Sequence, residues 1–450
     1  MKYQSIREKL FAPVDIASLA YFRIAFGAIM LWEVWRYFDH GWIARYWIAP
    51  DFHFKYFGFG WVHPWPGIGM YIHFIVMGIL AVLMMVGLYY RLSAILFFLG
   101  FTYVFLLDQM TYLNHFYLIS LISFLMIFVP AHRAFSLDVK WRNITSLQTA
   151  PAWMLWILRF QIGAAYFFGG IAKLNRDWLR CEPFRTWLSW RTDFPLLGEF
   201  FTDEWMVYCM NYGGMLFDLL VVPFLLWKRT RIPAFLVAVL FHLMNARMFS
   251  IGIFPWFMIA ATAIFFDPSW PRNFFGRSKG AKTLADDSLI TPQRSQRWII
   301  IGMIIYISVQ LLVPLRHFLY PGYVSWTEEG HRFAWHMKLR DKDADVSFLL
   351  ANPKTGEQWY VHPHEYLSNR QVDEMPSRPD MILQFAHYLE DIYQKKGIRD
   401  ISVKARARAS LNGRPEQWLL DPDIDLTQVN RTLAPADWIV PLKVPYPPAP

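Results

Sequence analysis

Long apolar runs broken by short polar connections dominate residues 17–314. A helix needs roughly 20 apolar residues to cross the hydrocarbon core, with some tolerance for tilt and burial. The pattern predicts nine spans, at 17–36, 70–90, 92–107, 114–130, 152–172, 205–227, 232–248, 250–266 and 298–314. The third, fourth, seventh and eighth are short and leave room for re-entrant or half-spanning pieces. The stretch 42–66, rich in Trp, Phe and Pro, reads as an interfacial segment.

The pattern changes after residue 315. Apolar runs 346–350 and 358–361 flank Asn352-Pro353-Lys354-Thr355-Gly356, which predicts a hairpin. Residues 380–395 carry helical periodicity, and 401–409 alternate strictly up to the turn pair Asn412-Gly413. The expected architecture is a polytopic α-helical membrane bundle (residues 1–314) followed by a small α+β domain (315–450). Alternation puts Lys404, Arg406 and Arg408 on one strand face, as a solvated surface or as one for an acidic partner.

Composition agrees with the membrane reading: 55% of residues are hydrophobic and only 18% charged, against about a quarter in soluble chains. Disordered, fibrous and disulfide-framed classes are excluded. The net charge of +9 follows the predicted topology. With the N-terminus inside, the inner side holds sixteen basic residues (Lys2, Arg7 and Lys9; Arg91; Arg133, Lys140 and Arg142; Lys228, Arg229 and Arg231; Arg272, Arg277, Lys279, Lys282, Arg294 and Arg297). The outer side holds nine, so the tail is expected outside, with membrane lipid rather than nucleic acid as the partner of the basic loops. Residues 1–16 show no small-residue cleavage site, so the first span is expected to stay as an uncleaved start. Cys181 and Cys209 fall near the outer ends of spans five and six, either as one disulfide or as two thiols.

Ionisable groups at membrane depth are functional candidates because they are costly to bury unpaired. Three clusters stand out. Tyr112-Leu-Asn114-His115 opens the fourth span. Lys173-Leu-Asn175-Arg-Asp177-Trp178 closes the fifth. His242 and Asn245 sit three apart on one face of the seventh. Spans four and five run antiparallel, which brings His115 and Lys173 to the same outer level. Asp218 is a candidate partner for one of these cations. The ordinary alternatives are a packed interfacial His115, a Lys173 that snorkels to the headgroups, and interhelical hydrogen bonds for His242 and Asn245. No metal motif appears; His362-Pro-His364 is a poor ligand pair, and no metal is expected. No Walker A, nucleophile-elbow or dinucleotide glycine pattern is present either.

Several strings, in order along most of the chain, resemble the vitamin K-dependent gamma-glutamyl carboxylase family and its bacterial relatives with the HTTM membrane domain. They include Phe22-Arg-Ile-Ala-Phe-Gly, Tyr112-Leu-Asn-His-Phe-Tyr-Leu-Ile-Ser-Leu, Phe128-Val-Pro-Ala-His-Arg and Arg159-Phe-Gln-Ile. Ala172-Lys-Leu-Asn-Arg-Asp-Trp, Phe241-His-Leu-Met-Asn, Pro314-Leu-Arg-His-Phe-Leu-Tyr-Pro-Gly-Tyr, Trp335-His-Met337 and Trp359-Tyr-Val-His-Pro continue the series.

The resemblance implies a definite reaction. A lysine at the position of Lys173 deprotonates reduced vitamin K, O2 adds to the quinol, and the strongly basic oxygenated product removes a γ-proton from protein glutamate. The carbanion captures CO2, and the quinol ends as its epoxide. His115 and Asn114 match the pair that contacts the quinone, and Trp335 and Met337 match a tail segment lining the same site. His242 and Asn245 are expected to add to the cofactor pocket. Implied partners are a glutamate-containing peptide or protein, membrane lipid and, as the chemistry allows, a quinone reductase. The site is expected on the extracytoplasmic or lumenal side. Animal members carry a longer tail, the cysteines of their disulfide are not matched, and His331–Arg340 differs at positions that hold glutamate in the family. A quinol epoxidase or oxidoreductase without carboxylation, and a non-catalytic HTTM-fold scaffold, are the competing readings.

Overall fold

A computed structural model describes residues 5–274 and 292–446. Lys2, Arg277, Lys279 and Lys282 of the charge count, and residues 447–450, lie outside the described residues. Seven helices among the described residues are long and apolar enough to cross a membrane. They are α1 (Ala17–Asp39), α2 (Gly69–Val86), α3 (Tyr90–Leu107), α5 (Ala152–Ala172), α6 (Glu204–Leu226), α7 (Arg231–Phe249) and α9 (Gln293–Leu312, continued as a 3-10 turn to Leu319). The remaining two of the nine expected spans are short apolar helices, α4 (Asn114–Phe128) and α8 (Phe254–Thr262, with a 3-10 turn to Phe265). Of the four expected spans that read as short, the fourth and eighth are thus short helices, while the third and seventh are long enough to cross. Val129-Pro130 stops α4, because proline disfavours helical backbone at the residue before it. The αL residue Ser250 closes α7 and delays the start of α8 to Phe254. Strands β1 (Pro13–Asp15) and β2 (Thr149–Pro151) pair beside the starts of α1 and α5.

Helix α5 is the axis of the bundle, with about two thirds of its most apolar stretch buried. Its small residues let α6 approach closely: a Cβ at Gly170 would lie 2.7 Å from Leu219 Cγ and 3.0 Å from the Leu219 nitrogen. At the other extreme, α9 is buried over only 11% of its stretch and stands at the rim of the bundle.

The tail contains a four-stranded antiparallel sheet of order β4-β3-β5-β6. Its members are β3 (Lys342–Ala351), β4 (Gln358–Val361), β5 (Ser402–Leu411) and β6 (Gln417–Trp418), covered by α10 (Pro379–Lys395). Both predicted hairpins and the helix are present. The long β3–β5 pairing, Lys342 opposite Leu411 through Ala351 opposite Ser402, joins segments distant in sequence. Val403, Ala405, Ala407 and Ala409 face the core, while Arg406 and Arg408 are exposed beside Tyr360 and Trp418.

The 42–66 stretch departs from a purely interfacial role. Phe54 is fully buried in the tail core, Phe52 stacks on Tyr388 at 4.3 Å, and the Lys55 amide donates to Gln384 at 2.7 Å. Its tip, with Phe57, Phe59, Trp61 and Trp65, remains exposed as an interfacial anchor would be. Cys181 and Cys209 are free thiols, the first buried and the second exposed, which removes the disulfide alternative.

Beneath the sheet, Glu328 collects Arg340 at 2.5 Å, His331 at 3.1 Å and Lys342 at 3.9 Å. The Lys342 side chain is 2% exposed and donates to the Trp326 carbonyl at 2.5 Å. Burial pulls this amine from its ordinary 10.5 down to about 7, against the opposing pull of Glu328. Between those two values the unfolded chain binds more protons than the folded one, so stability rises with pH from about 7 towards 10. Thermal unfolding in detergent across that range is expected to show the rise, and Lys342→Met to flatten it; an equal slope in both proteins contradicts the assignment. N-ethylmaleimide is expected to modify Cys209 in the folded protein and Cys181 only after denaturation, because burial raises the Cys181 thiol to about 11. Mass spectrometry of the labelled peptides checks this.

Candidate functional site

Lys173 is the C-cap residue of α5, with its amide donating back to the carbonyls of Gly170 and Ile171. Its ammonium forms a salt bridge with Asp218 of α6, and the two side chains are only 10% and 6% exposed. Snorkelling is thereby excluded: Lys173 turns inward to a carboxylate. The Trp178 ring lies 5.5 Å from Nζ. A Cβ at Gly169 would stand 2.9 Å from the Met337 methyl and 3.6 Å from Asp218 Oδ2, so the absence of a side chain there lets the tail reach the pair. Withdrawing two charges from water costs several kcal/mol per ion before their attraction is counted, which makes this pair the main functional candidate in the bundle.

Tyr166, Gly169, Gly170 and Lys173 recur at helical spacing along one face of α5. The Tyr166 hydroxyl meets His242 Nε2 at 2.6 Å and Thr262 Oγ1 at 3.1 Å. His242 is 1% exposed, and its Nδ1 has no partner among the described residues. The interhelical hydrogen bond allowed for His242 is thus present, and it leaves a ring nitrogen free for a ligand. Phe254 connects this group to His115: its ring centroid lies 6.0 Å from that of His242 and 5.5 Å from that of His115, stacked on the latter. Asn245 donates to the Phe241 carbonyl of its own helix at 2.8 Å, leaving its amide oxygen to offer.

The tail closes the outer side. Trp335 is 1% exposed, packs 5.1 Å from Tyr117 between centroids, and has an indole N–H without a partner among the described residues. The His336 carbonyl accepts from Asn114 Nδ2 at 3.0 Å, and Met337 reaches Gly169. Three consecutive tail residues therefore touch α4 on one side and α5 beside Asp218 on the other. Asn114 is further held by Tyr112, whose hydroxyl donates to Asn114 Oδ1 at 3.0 Å and accepts from the Phe333 amide at 2.7 Å. The structure joins His115, Asn114, His242, Trp335, Met337 and Lys173 through shared neighbours. Tyr166 and Thr262 were missed by the sequence reading. The i−7 spacing of Tyr166 from Lys173 was a usable signal; for Thr262 there was none.

Next to this group, on the other side of Phe333, is a cavity of about 650 Å³. Its walls come from the segment around Tyr56, the stretch Arg316–Phe333, the start of α10 and residues 428–439. Arg316, Arg332 and Arg378 line it, each with one buried guanidinium nitrogen that has no partner among the described residues. Burial lowers Arg332 from its ordinary value. Arg378 keeps Glu374 as an ion-pair partner through its Nη2 at 2.6 Å, and Arg431, also in the wall, is paired with Asp380 at 2.6 Å.

Residues 11–270 match the HTTM domain, and residues 295–444 match the vitamin K-dependent gamma-carboxylase lumenal domain. No solved structure matches the chain. The HTTM match takes in Lys173, Asp218, His115 and His242, and the lumenal-domain match takes in Trp335, Met337 and the arginines of the cavity. Matched in this order over both regions, the chain belongs to the vitamin K-dependent gamma-glutamyl carboxylase family.

Proposed function

We propose that this protein is an integral-membrane carboxylase that couples oxygenation of reduced vitamin K by O2 to addition of CO2 to protein glutamate. Residues 1–314 carry the reacting site, and 315–450 contribute to substrate binding. The N-terminus lies inside and the tail outside, so that the site opens on the extracytoplasmic or lumenal side. The observation that carries the reading is the buried Lys173–Asp218 pair at the outer end of α5, covered by Met337.

The residues fit a flat apolar quinol with two polar ends. Phe254, Tyr117 and Trp335 offer ring surfaces, while His242 Nδ1 and Trp335 Nε1 are buried polar atoms in want of a partner. His115, Asn114, His242, Trp335 and Met337 would hold the cofactor, and the amide oxygen of Asn245 adds to its pocket. Bound there, reduced vitamin K supplies through its oxidation a base far stronger than any side chain. Lys173 acts as a base only when uncharged, and Asp218 is the group with which it exchanges its proton, so that the pair holds a single proton without ejecting it to solvent. The apolar cover keeps water from the reacting carbon. In the neighbouring cavity, Arg316, Arg332 and Arg378 hold carboxylates of the peptide.

The deciding experiment supplies purified protein with reduced vitamin K, labelled bicarbonate and a Glu-rich peptide. Epoxide and labelled peptide together are expected. Epoxide alone identifies an epoxidase without carboxylation, and neither product leaves a scaffold. Lys173→Ala is expected to abolish epoxide formation; an active Lys173→Ala protein overturns its assignment as base. Arg332→Ala and Arg378→Ala are each expected to raise the KM for the peptide about tenfold, the equivalent of about 1.4 kcal/mol, with a smaller change in kcat. An unchanged KM in both removes the cavity from the peptide path.

A further inference from the structure

The turn that carries Lys173 is held by the tail as well as by the helix that precedes it. After Leu174, whose amide still reaches the Ile171 carbonyl at 2.9 Å, side chains help to hold the chain as far as Asp177. Asn175 ties part of it: its Nδ2 donates to the Ala172 carbonyl at 2.9 Å, and its Oδ1 accepts from the amides of Asp177 and Trp178 at 3.1 and 3.0 Å. The same oxygen accepts the Tyr323 hydroxyl of the tail at 2.9 Å. The Asp177 carboxylate, 1% exposed, is gripped by Arg414 through Nη2 at 2.5 Å and Nη1 at 2.8 Å, and by Asn412 Nδ2 at 2.8 Å.

These donors sit at the hairpin tip after β5, where Asn412 and Gly413 both have positive φ. The tip is itself fixed: the Asn412 amide donates to the Asp341 carbonyl at 2.7 Å, its Oδ1 accepts from the Asp341 amide at 2.8 Å, and the Arg414 guanidinium lies 4.9 Å over the Tyr446 ring. Asp177 also opens the 3-10 turn Trp178–Arg180, whose first ring stands against Lys173 Nζ.

We propose that Arg414 is a positioning residue for Lys173, its grip on Asp177 setting the turn from which the lysine reaches Asp218. The proposal rests on the reading of Lys173 as the reacting base. Arg414 is not among the residues lining the arginine cavity; it acts through Asp177 and the 173–178 turn. The bidentate contact matters because two parallel bonds fix direction where a single point charge fixes only proximity.

The test uses the full chain in detergent as wild type, Arg414→Ala and Arg414→Lys. Acetylation of individual lysines by a small activated ester is followed by mass spectrometry, with Lys342, buried in the tail, reporting whether the tail stays folded. Expected is labelling of Lys173 about tenfold faster in Arg414→Ala with Lys342 unchanged, and an intermediate rate in Arg414→Lys. Equal protection of Lys173 in Arg414→Ala and wild type overturns the proposal. A parallel rise at Lys342 overturns it too, since Arg414 then merely holds the tail together. In turnover, Arg414→Ala is expected to lower kcat for epoxide by about a hundredfold, with the quinol KM within about twofold and partial recovery in Arg414→Lys. A wild type that makes no epoxide sinks the functional reading alone, because the labelling rates decide the positioning without turnover.

Discussion

An ammonium and a carboxylate placed at the end of an apolar bundle keep their contact only if water and competing ions are kept away, and much of this structure serves that condition. The Lys173–Asp218 pair needs α5 and α6 in close contact, which glycine at position 170 permits. It needs cover from above, which Met337 provides through the gap left by Gly169.

The tail therefore packs against the candidate site as closely as the helices of the bundle do. Residues 335–337 bridge α4 and α5, Tyr323 and Arg414 hold the turn after α5, and the arginine-lined cavity lies between tail segments and the loops above the bundle. In the reverse direction, the segment after α1 sends Phe54 into the tail core, and Arg431 binds the Lys55 carbonyl at 2.8 Å. Contacts in both directions explain how a small α+β unit can register side chains at the membrane surface to within a hydrogen bond.

Much of this was legible residue by residue. The apolar runs marked all nine helices, because the cost of exposing backbone and polar groups to lipid leaves a strong signal in composition. The alternation of 401–409 and the Asn-Gly pair marked β5 and its turn for an equally local reason. Span completeness was legible only in part: four spans read as short, and which two of them stay short, α4 and α8, was decided where Pro130 and the left-handed Ser250 interrupt them, since hydropathy does not register backbone conformation. The 42–66 stretch was legible as something other than a span, but the part it sends into the tail core was not, since aromatic residues suit an interface and a protein core alike.

The sequence by itself determined that the chain is a membrane protein, which helices it builds, and which few polar residues stand at costly depth, Lys173 first among them. Its motifs also carried the family resemblance. Only the tertiary structure decided which partner each costly residue takes: Asp218 rather than lipid for Lys173, Tyr166 for His242, Arg414 for Asp177. The physical reason is that the cost of burying a polar group is a property of the residue and its immediate setting. Its compensation comes from groups 45, 76 and 237 positions away, brought near only by packing.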